Sequence, residues 1–122
     1  MTDIDDLAER LYPLIIPHTR RRNGSISYSD LCAALSGRWA GLEARSRLLA
    51  QALGTIVKRC RDADLPALSA LVVHASSDKR PGNGYYEAAH PGINDPMARE
   101  VAWATEFAAA HKASYPARFD QL

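Results

Sequence analysis

The clearest periodicity in the chain lies over residues 45–62. There Leu49, Ala52, Leu53, Ile56, Val57 and Cys60 recur at the i, i+3, i+4, i+7, i+8 and i+11 positions of one helix face. Arg47, Gln51, Thr55 and Lys58 fall together on the opposite side. A core-facing stripe backed by cations and amides predicts a helix with one buried and one open face. Such an open face suits either a DNA groove or plain solvent.

The remaining elements group around this helix. Residues 3–16 read as a first helix, with Ile4, Leu7, Leu11, Leu14 and Ile15 in helical spacing and Thr2 or Asp3 as cap. Pro13 predicts a kink or early stop, and Pro17 ends the pattern. A basic turn over 18–24 carries Arg20, Arg21 and Arg22, and residues 25–28 alternate as a brief strand. Ser29 or Asp30 can cap a short helix running to Leu35, with Leu31, Ala34 and Leu35 facing inward, and residues 36–41 turn into the central helix. Residues 68–74 read as a strand, 76–84 as a polar loop, and Tyr85-Tyr86-Glu87 as a returning strand. Asp95-Pro96 opens a last helix whose predicted core stripe is Met97, Val101, Ala104, Phe107, Ala108 and His111, with Trp103 off its centre. From Pro116 onward a frayed tail is expected. The order of elements is that of an α+β winged helix-turn-helix with a β-hairpin wing plus N- and C-terminal helices. It forms a single domain over residues 1–122, with its core at about 3–115.

Composition narrows the classes. The 122 residues are 47% hydrophobic, enough for an independent core. No run approaches the roughly 18 uncharged apolar residues of a membrane span. The acidic start Asp3, Asp5, Asp6 is unlike a signal peptide, so a cytoplasmic location is expected. Cys32 and Cys60 both sit on apolar helix faces, where a free Cys packs as a small hydrophobe. The net charge of +1 argues against a dedicated nucleic-acid binder, whose pI usually exceeds about 9, but the cations are clustered.

Three segments resemble the winged-helix domain of O6-alkylguanine-DNA alkyltransferases and the alkyltransferase-like proteins. "ISYSDLCAAL" over 26–35 is similar to the family's "TYGELA" segment, and "SRLLAQALG" over 46–54 to its recognition helix "ARAVGGAL". "LPALSALVVHASSDKRPGNGYY" over 65–86 is similar to the strand, loop and glycine-aromatic close that follow. The resemblance covers about half the chain and implies a DNA-binding fold. It does not imply alkyl transfer, because the nucleophile motif Pro-Cys-His-Arg is absent and neither cysteine occupies its place. Arg45 or Arg47 stands nearest the family's base-displacing arginine.

The four histidines and two cysteines have no metal-ligand spacing, so neither metal nor cofactor is expected. Ser76 and Ser77 near His74 have the right types for nucleophilic chemistry, but serine is equally the residue of turns. The glycine-rich segment at 79–84 lacks P-loop spacing, and Pro81 removes a backbone donor. No catalytic motif emerges, and a non-catalytic protein is expected. The leading expectation is binding of double-stranded DNA. Arg20, Arg21, Arg22, Lys79 and Arg80 would meet phosphates, and Arg45, Arg47, Gln51 and Lys58 would lie along the recognition helix. The alternative is a protein-interaction winged helix, partner-binding or homodimerising and suited to phage–host conflict, anchored by exposed Trp39, Tyr85, Tyr86 and Trp103.

Overall fold

A computed structural model describes residues 2–76 and 78–122. Helix α1 (Asp3–Ile15) is capped by the Thr2 hydroxyl, which accepts the Asp5 amide, and its acidic first turn suits the positive end of the helix. The helix continues through Pro13, and a 3₁₀ turn over Ile16–Arg20 takes the chain past Pro17. Strand β1 (Ile26–Ser27) leads into α2 (Tyr28–Ala33). The cap of α2 is Ser27 rather than Ser29 or Asp30, so Leu31, Cys32 and Leu35 face inward and Ala34 is exposed.

The central helix α3 (Arg47–Asp62) buries Leu49, Ala52, Leu53, Ile56, Val57 and Cys60, the six residues its periodicity predicts. The Ser46 hydroxyl accepts the Leu48 amide and starts the helix there, which leaves Arg45 in the turn before it. Helix α1 lies along α3, and together with Leu31, Leu68, Leu71 and Val72 they form the main core.

Among the described residues the expected hairpin wing does not form. Residues Ala67–Val73 are buried without alternation, and Leu68–Leu71 is a 3₁₀ turn. Only Val72–Val73 (β2) extends, and its partner is β1, in parallel, with Ile26 opposite Val72 and Ser27 opposite Val73. Tyr85-Tyr86-Glu87 belongs to helix α4 (Asn83–Ala89) instead of a returning strand. Both tyrosines are buried, on the flank of this helix that faces Val57, Ala67 and Ala70. The architecture is therefore α+β, rich in helix, with one small two-stranded parallel sheet among the described residues.

Helix α5 (Pro96–Lys112) begins as predicted, with Asp95 capping the Ala98 amide and Pro96 in the first turn. Its buried face is not the predicted stripe. Met97 and Val101 are 74% and 61% exposed, Ala104 and Ala108 are also exposed, and Phe107 and His111 are half-buried. The residues turned inward are Glu106 and Ala110, flanked by half-buried Arg99, Ala102 and Trp103. The tail is also not frayed. Phe119 is buried edge-on to Tyr12, and the Tyr12 hydroxyl donates to the Pro116 carbonyl at 2.7 Å.

Candidate nucleic-acid interface

Helix α4 covers only one flank of α3. It packs on α3 beside Ala50 and Gly54, where a Cβ added to Gly84 would stand 3.8 Å from Ala50 Cβ and one added to Gly54 would stand 3.9 Å from Ala88 Cβ. The outward face beside it stays open, with Arg47, Gln51 and Lys58 exposed along its length. Thr55 between them is half-buried and returns its hydroxyl proton to the Gln51 carbonyl. Helix α5 packs on the Leu68–Leu71 turn and leaves this row uncovered.

A cleft of about 370 Å³ opens beside the N-terminal end of α3. This lies within the roughly 300–1,000 Å³ of small-molecule sites. Its walls are largely apolar, from Ala50, Leu53, Gly54, Val57 and Ala88. Arg45 and Ser46 border it on the helix side, and Tyr28, His74, Gly82 and Asn83 on the other. The Tyr28 ring stacks against His74 at 4.9 Å, and its hydroxyl accepts the Gly82 amide at 2.7 Å. A Cβ on Gly82 would stand 3.3 Å from both His74 Nε2 and the Tyr28 hydroxyl, so a glycine lets the loop close on the aromatic pair. Burial raises the Tyr28 hydroxyl above its ordinary range.

The loop cations are divided. The His74 amide donates to the Arg80 carbonyl and closes the loop, and the Arg80 guanidinium pairs with Glu100 of α5 at 2.5 Å. Lys79 and Arg80 both remain exposed, but Arg80 already has a carboxylate partner. Arg20, Arg21 and Arg22 are exposed on a turn whose anchor is α5, through Gly24 and His111 at 2.9 Å, rather than α3. Thus the structure joins Arg45 and the flank of the 79–80 loop around one cleft, with Arg47 and Gln51 on the open side of the same helix, and anchors the arginine turn elsewhere.

The aromatic anchors need correction. Trp39, Tyr85 and Tyr86 are buried, and Trp103 is half-buried. Trp39 donates to Asp6 at 2.8 Å, and Trp103 donates to the Ala70 carbonyl at 2.9 Å. Tyr86 lies under the Arg99 guanidinium. None of Trp39, Tyr85 and Tyr86 is an exposed side chain offered to a partner.

Sequence reasoning missed Glu106. This carboxylate is 8% exposed and accepts the Tyr85 hydroxyl at 2.6 Å, the Ala67 amide at 3.0 Å and the Arg61 guanidinium at 2.5 Å. His90 Nε2 stands 3.3 Å away. Burial pushes the Glu106 carboxyl up, but the Arg61, Ala67 and Tyr85 hydrogen bonds more than offset this and hold it below its ordinary value. Burial and the same carboxylate push the Tyr85 hydroxyl strongly up, so it remains a donor. Because Tyr85 also lines the cleft, Glu106 fixes one wall of it from α5.

Cys32 and Cys60 are buried free thiols, and burial raises both above the ordinary thiol range. No group of three or more His, Cys, Asp or Glu among the described residues could hold a metal. Ser77, one of the two serines beside His74, lies outside the described residues. No helix among the described residues is long and apolar enough to cross a membrane. No protein family, curated protein or solved structure matches this chain.

Proposed function

We propose that the chain is a non-catalytic DNA-binding protein that lays α3 against a duplex and receives an extruded base in the adjoining cleft. The observation that carries this reading is the open row Arg47, Gln51 and Lys58 on a helix whose N-terminal end borders an apolar cleft. Arg and Gln near the start of a groove-lying helix suit guanine and adenine edges. Arg45, exposed at the cleft mouth, is placed to hold the stack open behind a displaced base. In chain order α2 and α3 match the segments that resemble alkyltransferase-like proteins, but a long connection over residues 34–46 joins them in place of a tight turn. The place of the wing is taken by a loop and the short helix α4.

Duplex binding titrated against salt tests this reading. Affinity should fall steeply, with a slope set by the number of phosphates contacted. Arg47→Ala with Gln51→Ala should remove sequence preference while the fold survives. A double mutant that binds every duplex as the wild type does would remove the α3 assignment.

One observation favours a second reading, a protein-interaction module. Met97 and Val101 stand exposed one turn apart on α5. Size-exclusion chromatography with light scattering tests it, since a monomer that captures no partner counts against that reading.

A further inference from the structure

The floor of the cleft contains Ser69, a polar side chain in an apolar setting. Ser69 is 2% exposed, and its hydroxyl has no hydrogen-bond partner among the described residues. An unpaired buried hydroxyl is costly, and folding alone gives no reason for serine where alanine would pack. Its surroundings in the cleft include Leu53, Val57 and the Tyr85 ring, whose own hydroxyl is committed to Glu106. A hydroxyl at that depth both donates and accepts, so it can pair with either kind of edge on an entering group.

We propose that Ser69 is the specificity-determining residue of the cleft, reading the hydrogen-bonding edge of a nucleobase that enters it. The inference rests on the base-entry reading above. The apolar walls accept any flat ring of suitable size, so discrimination falls to the few polar groups they leave. A site that hydrogen-bonds its occupant rejects an apolar isostere more strongly than a purely apolar pocket does, because the isostere leaves the hydroxyl unpaired. Removing that hydroxyl therefore weakens discrimination without loosening the protein.

The test uses the full chain and three duplexes that differ at one central mispaired position. One carries 2-aminopurine, whose emission rises when it leaves the stack; the others carry thymine or its non-polar isostere difluorotoluene. Anisotropy gives the ratio of the two latter affinities for wild type and for Ser69→Ala. Comparing the two proteins cancels any difference in how readily the duplexes open. The thymine preference is expected to shrink by on the order of threefold to tenfold in Ser69→Ala, the worth of one hydrogen bond. The melting temperature should stay level or rise. An unchanged ratio with a normal rise in 2-aminopurine emission would overturn the role of Ser69 and leave base entry standing. Duplex binding with no emission change would overturn base entry and, with it, this inference.

Discussion

The Tyr85 hydroxyl donates to Glu106 at 2.6 Å, so a carboxylate on α5 holds an aromatic wall of the cleft on α4. The same carboxylate takes the Ala67 amide and the Arg61 guanidinium, tying α3, the Leu68–Leu71 approach and α5 to one buried charge. Glu106→Ala would leave Arg61, Tyr85 and the Ala67 amide without their acceptor. Breaking a buried pair costs roughly 3–5 kcal/mol, and Arg61, 40% exposed, can rehydrate, so about 3 kcal/mol is expected. Glu106→Gln should cost less, because it keeps an acceptor for Tyr85. Urea unfolding of the two variants checks the order, and equal losses would contradict it.

Acid should act through the same group. Glu106 is held below its ordinary carboxyl value, so the folded state binds its proton less readily than the unfolded state does. Its contribution is therefore complete above the ordinary glutamate value of 4.5 and is lost as pH falls below that toward the lowered folded value. Wild type should lose more stability than Glu106→Gln between about pH 5 and 3. Parallel pH profiles for the two proteins would contradict the assignment.

Gly24 offers a separate check on the arginine turn. A Cβ there would stand 2.2 Å from the His18 carbonyl oxygen and 2.9 Å from Arg21 Cβ, and the Gly24 carbonyl itself contacts His111 Nε2. Gly24→Ala must displace backbone, and a loss of about 1–3 kcal/mol is expected, as for overpacking elsewhere. Thermal melting checks it, and a variant as stable as wild type would mean that Gly24 is not packed against the His18 carbonyl as described.

The exposed residues of α5 should behave oppositely. Met97→Gln with Val101→Gln is expected to change stability by no more than about 0.5 kcal/mol and to leave duplex affinity unaltered. Loss of a dimer in light scattering would instead support the protein-interaction reading.

How far the fold was legible follows from where burial and hydrophobicity coincide. On α3 they do, and all six stripe residues are in the core. On α5 they do not, since its inward face turns on a glutamate with three donors, while Met97 and Val101 face out. A sequence pattern ranks Glu as surface and cannot see the Arg, Tyr and amide that satisfy it. Tyr85-Tyr86 carry strand propensity, yet Gly82 starts a helix there and the space between α3 and α5 accepts both rings. The open face of α3 could be foreseen from spacing. The cleft could not, because Tyr28, Arg45, Ser69 and Gly82 come from four separate segments, and only the fold brings them to one opening.

The most direct test of the DNA face is backbone amide mapping by NMR as a short duplex is added to the protein. The expected result is a shift footprint over Arg45, Arg47 and Gln51 and around the cleft at Gly82, fading as salt is raised, with α5 at Met97 and Val101 silent. A footprint confined to α5, or none at low salt, would contradict the assignment of α3 as the DNA-binding helix.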